Sequence, residues 1–151
     1  VPSATNADAA FWDTSGVVLL CTHQAAAGAA RRIAQRCRRI VLWWGTPVEA
    51  RSAFMRLVRE GVLSSSELAG ASRRLATLTR VASEIEPTQE IRTIAESVLD
   101  KHDLRAADAF QLAAALVLCH EKPRGRWFVC FDRRLAAAAD VTGFTVLPTP
   151  R

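Results

Sequence analysis

Two aspartates close apolar runs at opposite ends of this sequence. Asp13 follows Ala9–Trp12 in AAFWDTSG, and Asp132 follows Trp127–Phe131 in WFVCFDRRL. Short apolar runs of this kind fit buried strands. In open parallel α/β sheets, ligands bind beyond the carboxyl ends of the strands, so an acid that ends a strand stands at the functional edge. The same residue type also caps a following helix by accepting from a first-turn N–H. Each aspartate, taken singly, admits both readings. Glu49 and Asp108 pose the same choice. Glu49 lies in TPVEARSAF, where Thr46 and Glu49 have capping-box spacing, yet a first-turn glutamate after a strand also points to that edge. Asp108 lies in LRAADAFQLAAAL, a helix apolar around most of its circumference. It is four residues from Leu104 and Leu112, and three from Arg105 and Gln111. That makes a short polar edge at one end of a buried helix, as a wet cleft would require.

As a set, four carboxylates at one edge have a chemical use. Close like charges repel, so such a cluster holds a cation or has raised pKa values. Oxygen donors without His or Cys suit the hard ions Mg²⁺ and Mn²⁺. In a basic chain they fit metal-assisted phosphoryl chemistry, with arginines holding the rest of a nucleic-acid backbone. Zinc is not indicated, because three histidines and four cysteines are scattered without ligand spacing. A receiver-type phosphoacceptor needs a second acid beside the first and a late lysine, and neither stands in the expected place here. A haloacid-dehalogenase-type phosphatase needs Asp-x-Asp, where this chain has Asp13-Thr14-Ser15.

The elements that must position these acids alternate short apolar runs with helical periodicity, the pattern of an α/β domain with a mainly parallel sheet. Ala10–Asp13 is the first expected strand, followed by helical sequence to about Arg39 with a break at 25–29. Ile40–Trp44 is the second, closed by Gly45, with Thr46 as N-cap and Pro47 in the first turn of the next helix. SSSEL (64–68) opens another helix, Val81–Ile85 is a short strand, and Pro87-Thr88 start a helix to about Lys101. Asp103 is positioned to cap the Asp108 helix. Trp127–Phe131, DRRLAAAAD and FTVL (144–147) complete the pattern as strand, helix and strand.

At 151 residues and half apolar composition, one domain with a proper core covers 1–151, with 1–9 read as an N-terminal extension. No run is long enough to span a membrane. VPSATNADAA has neither the basic nor the apolar region of a secretory signal, and the isolated cysteines fit a reducing compartment, so a cytoplasmic location is expected. Formal net charge is +5, and 18 of the 20 cations are arginine. The densest cluster, RRIAQRCRRI (31–40), fits either a phosphate-binding surface or a solvated helix face.

In this order the motifs resemble the PIN-domain ribonucleases, and within them the VapC toxins of toxin–antitoxin pairs. FWDTSG resembles the opening strand and VEARSAF the Glu-bearing helix. LRAADAFQLAAAL resembles the Asp helix, and FVCFDRRLAAAA followed by GFTVL the final acidic strand, helix and strand. IVLWWGTPVE is bulkier and more aromatic before the glutamate than the family pattern. The resemblance implies a PIN-like three-layer α/β/α sandwich of four or five strands in the order 3-2-1-4-5, with Asp13 and Asp132 side by side. It implies that Asp13, Glu49, Asp108 and Asp132 bind Mg²⁺ or Mn²⁺ and are catalytic, so that a water acidified by the ion attacks an RNA phosphodiester in line. Ser15 either orients the Asp13 carboxylate or caps a helix. Arg31, Arg32, Arg133 and Arg134 are candidates for RNA contacts. A homodimer and a cognate VapB-like antitoxin that occludes the acidic site are the implied partners. A PIN-domain nuclease outside such a pair, one acting on DNA, and a catalytically silent RNA-binding module are the alternatives.

Overall fold

The structure, a computed structural model, describes residues 7–150. Its centre is one five-stranded sheet in the order β3-β2-β1-β4-β5, every neighbouring pair parallel. The strands are β1 (Ala7–Trp12), β2 (Cys37–Trp43), β3 (Ser83–Ile85), β4 (Trp127–Val129) and β5 (Thr145–Leu147). The helices are α1 (Thr14–Cys21), α2 (Ala27–Ala34), α3 (Thr46–Arg59), α4 (Ser65–Val81), α5 (Gln89–Lys101), α6 (Ala106–Leu118) and α7 (Arg133–Thr142). This is the α/β/α sandwich and strand order the motifs imply.

Alternation along the strands splits the core into two layers. Phe11, Val41, Trp43, Phe128 and Val146 face α5, α6 and α7, with Phe11 and Phe128 stacked at 5.4 Å. Ala10, Trp12, Leu42, Trp127 and Val129 face the other way, toward α1 to α4. The strands are therefore apolar on both faces, which is why they read as continuous runs in the sequence. The middle of helix α6 lies within its layer: from Ala109 to Leu116 every residue but Phe110 is buried.

Several boundaries differ from the sequence reading. β1 begins at Ala7, so residues 7–9 of the expected extension pair with β2, while 1–6 lie outside the described residues. β2 begins at Cys37 rather than Ile40. Arg38 and Arg39 join it because a parallel ladder needs only their backbones, leaving both side chains in solvent. β3 is three residues long, and β4 ends at Val129, two residues early. The N-cap of α3 is Gly45, not Thr46, whose buried hydroxyl is taken by Gln111. Arg105, not Asp103, is the N-cap residue of α6, and its side chain makes no cap hydrogen bond. Where the sequence does cap, it caps fully: Ser64 and Glu67 form the capping box of α4. No helix among the described residues is long and apolar enough to cross a membrane.

Candidate active site

The strand ends converge on a cleft of about 760 Å³. Its walls include Asp13, Glu49, Asp108 and Asp132, delivered by four segments distant in sequence. Asp13 continues the β1–β4 ladder one step past Trp12, its N–H donating to the Val129 carbonyl at 2.9 Å. Glu49 sits in the first turn of α3, Asp108 in the first turn of α6, and Asp132 at the entry to α7. The capping reading also holds for the two strand-ending acids. Asp13 accepts from the Ser15 N–H at 3.0 Å, and Asp132 from the Leu135 N–H at 2.9 Å. One carboxylate serves both purposes, because the N-terminus of each following helix opens at the same edge of the sheet.

Ser15 does more than sit in a helical turn. Its hydroxyl donates to Asp13 Oδ2 at 2.6 Å and accepts from the Phe131 N–H at 2.8 Å, tying the buried carboxylate to the chain leaving β4. Cys130 fills the space between the two aspartates, with Sγ 3.6 Å from Asp13 Oδ2 and 3.4 Å from the Asp132 carbonyl oxygen.

The capping box expected for Glu49 does not form. Its carboxylate faces inward, accepting from Thr14 Oγ1 at 3.0 Å and from Gln111 Nε2 at 3.3 Å to each oxygen. Gln111 is fully buried and also donates to Thr14 Oγ1 at 2.8 Å and Thr46 Oγ1 at 3.0 Å. It thus joins α1, α3 and α6 beneath the cleft, while its Oε1 has no hydrogen-bond partner among the described residues. The cleft arginines Arg56 and Arg105, and the polar residues Thr14 and Gln111, are site residues that sequence reasoning did not assign. The signal available for Gln111 was a lone polar residue, three from Asp108, in a helix otherwise apolar through its middle.

Three of the four acids hold their protons more tightly than a free carboxyl. Burial is the main cause for Asp13, with the Asp108 charge adding to it against the Ser15 hydrogen bonds. Burial leads again for Glu49, opposed by Thr14 and Gln111 and reinforced by Asp13 and Asp108. For Asp108, burial and the Asp132 charge raise the pKa, and Arg105 and Arg134 pull it down. Asp108 is therefore in electrostatic contact with all three others. None of the four takes part in an ion pair among the described residues.

This donor chemistry fits a hard divalent cation: oxygen ligands, buried at Asp13, half-buried at Glu49 and Asp108 and exposed at Asp132, repelling one another with no cation within ion-pair distance among the described residues. The acids surround the cleft rather than close on a point. Among the described residues, no three His, Cys, Asp or Glu side chains form a ready-made metal-binding group.

The arginines are distributed differently from the sequence reading. Arg56 and Arg105 line the cleft. Arg133 and Arg134 are exposed just past Asp132, and Arg134 stands 4.0 Å from Asp103. Arg31 and Arg32 end α2, which leads into the start of β2, at the opposite edge of the sheet, and neither reaches the acids.

Fold and site together define a class: a parallel α/β/α domain of strand order 3-2-1-4-5, with an acidic cleft at the C-terminal edge of its strands. No protein-family model matches this sequence. Ribonuclease VapC45 of Mycobacterium tuberculosis (strain CDC 1551 / Oshkosh) is 29% identical over 138 residues, covering 91% of this chain and 94% of that protein. Ribonuclease VapC49 of M. tuberculosis (strain ATCC 25618 / H37Rv) matches to the same extent. Among solved structures, M. tuberculosis VapC20, described as a Sarcin-Ricin loop cleaving toxin, superposes with a TM-score of 0.61 at 22% identity, covering 85% of this chain and 93% of that one. FitAcB from Neisseria gonorrhoeae gives 0.61 at 16% identity, covering 89% and 96%. PAE2754 from Pyrobaculum aerophilum gives 0.59 at 22%, covering 97% and 93%. The resemblance to VapC ribonucleases carried by the four motifs therefore extends along nearly the whole chain, in sequence and in fold.

Proposed function

We propose that this chain is a Mg²⁺- or Mn²⁺-dependent endoribonuclease and the toxin of a toxin–antitoxin pair. The observation that carries the reading is the cleft itself. Four carboxylates from four segments line it, three with raised pKa values, and none has a cation partner within ion-pair distance among the described residues. Asp13, Glu49, Asp108 and Asp132 would hold the ion. When bound, it supplies Lewis acidity at the scissile phosphate and lowers the pKa of the attacking water.

The chain's own residues do the positioning. Ser15 fixes the Asp13 carboxylate against the exit of β4, and Thr14 and Gln111 fix Glu49 with neutral donors that leave its charge available. Arg56 and Arg105 stand on the cleft wall, where their guanidinium forks meet the phosphates on either side of the cut. Arg133 and Arg134 extend that contact beyond the mouth. The names of the relatives, two ribonucleases and a Sarcin-Ricin loop cleaving toxin, favour RNA over DNA as the substrate. A VapB-like antitoxin covering the acids, a homodimer and a cytoplasmic setting complete the proposal.

The test is cleavage of defined RNAs with Mg²⁺ or Mn²⁺ against EDTA, wild type beside Asp108→Asn. Wild type cleaves only with the ion, and the variant loses the activity while keeping its fold. Cleavage that persists in EDTA, or in the variant at the wild-type rate, contradicts the reading.

A further inference from the structure

Eight of the chain's 20 cations gather at the edge of the sheet opposite the cleft. Five arginines between residues 31 and 39 lie at the end of α2, in the turn and in the first half of β2, all exposed. The guanidinium of Arg36 stands 4.9 Å above the ring of Trp127, the first residue of β4. That contact joins the cluster to the preceding connector, which adds exposed Lys122, Arg124 and Arg126. Strand register agrees, since Ala9 pairs with Arg39 and Ala10 with Trp127, at the same end of the sheet. In these segments and those flanking them, the acids are Asp8, Glu121 and Asp140, three against eight. Asp8 reaches Arg38 at 3.7 Å, with both side chains almost fully solvated, so the pair neutralises little. The six residues of β1 separate this edge from Asp13 by roughly 20 Å.

We propose that this basic edge is a second RNA-binding surface, an exosite that holds the phosphate backbone of a long or folded RNA while another part of it occupies the acidic cleft. The inference rests on the ribonuclease reading above. Seven of the eight cations are arginine, whose planar fork pairs with phosphate oxygens bidentately. No large exposed hydrophobic side chain lies in either segment, so the surface has nothing to insert into a lipid headgroup region. Charges at two edges also give the molecule two separable tasks, holding the polymer and cutting it.

The test compares two substrates with the triple variant Arg39→Glu, Arg124→Glu and Arg126→Glu, whose side chains are exposed and away from the cleft. One substrate is a short single-stranded oligonucleotide that occupies the cleft alone, the other a long folded RNA. The variant cleaves the oligonucleotide with wild-type kcat and KM, which also shows that it folds. On the long RNA its KM rises about tenfold or more, with kcat unchanged, and the slope of log affinity against log salt flattens by about 2–3. An unchanged KM on the long RNA overturns the exosite, and so does an equal loss on both substrates. If wild type cleaves neither RNA, the ribonuclease reading fails instead, and the two failures are distinguishable.

Discussion

At the scale of single residues, two of the four cleft acids also serve as helix caps, and all four are proposed to share one chemical task. Asp13 caps α1 and Asp132 caps α7, so their presence alone does not mark a site. The neighbours that hold Asp13 and Glu49 do mark one. Ser15 binds the Asp13 carboxylate and the backbone beyond β4 with one hydroxyl. Groups that orient a metal-binding carboxylate are worth 10- to 100-fold in metal affinity or activity. Ser15→Ala is therefore expected to weaken Mn²⁺ binding by about that factor, with little change in global fold. A Mn²⁺ titration followed by calorimetry, beside a circular-dichroism spectrum, checks it; wild-type affinity in the variant contradicts it. The four cleft-lining acids were legible in the sequence by different signals: Asp13 and Asp132 each close an apolar run, Glu49 stands in the first turn after a strand, and Asp108 lies on a short polar edge of an apolar helix. The hydrogen-bond partners Thr14 and Gln111 were not, since nothing in local spacing tells which buried polar group meets which across 97 positions of chain.

At the scale of elements, the fold was readable where hydrophobic periodicity decides and misread where pairing or packing decides. The continuous runs of β1, β2 and β4 announce strands buried on both faces, and their parallel arrangement follows from the helices between them. The start of β2 was hidden because Arg38 and Arg39 look like part of a basic helix, while their backbones pair with β1. The capping box assigned to Glu49 failed for a comparable reason. Thr46 is buried under Gln111, and the carboxylate turns to the interior instead. The turn from β1 into α1 is also tightly packed. A Cβ on Gly16 would lie 2.9 Å from Trp12 Cε3 and 3.3 Å from Cζ3, against a ring that is fully buried. Gly16→Ala is expected to cost about 1–3 kcal/mol, the usual range for overpacking a core. Urea denaturation measures it, and an unchanged midpoint would show that the ring moves freely.

At the scale of the whole molecule, four acids and flanking arginines meet at one edge of the sheet, a basic band lies at the other, and apolar layers lie between. The band was visible as composition, but its distance from the acids was not, because only the fold shows which edge α2 leads to. The cysteines belong to the apolar layers. Burial raises the pKa of all four thiols, Cys21 to about 11 from an ordinary 9.0. An acid that binds its proton more tightly when folded stabilises the fold fully below its unfolded pKa and loses that contribution as pH rises through the folded value. Stability is therefore expected to fall as pH climbs from 9 towards 11, and native thiols to alkylate slowly at neutral pH. Denaturation midpoints across that range test the sign; a midpoint rising with pH contradicts it.

The central claim is that the acids act together as one cation-holding site and are more than a set of helix caps. Asp132→Asn separates the two roles most directly, because asparagine caps a helix about as well as aspartate but carries no charge. Thermal stability and metal-dependent RNA cleavage are measured on the same preparation. The account predicts an unchanged melting temperature and a loss of cleavage with Mg²⁺ or Mn²⁺ present. Cleavage at the wild-type rate would contradict it and leave Asp132 as the cap of α7 alone.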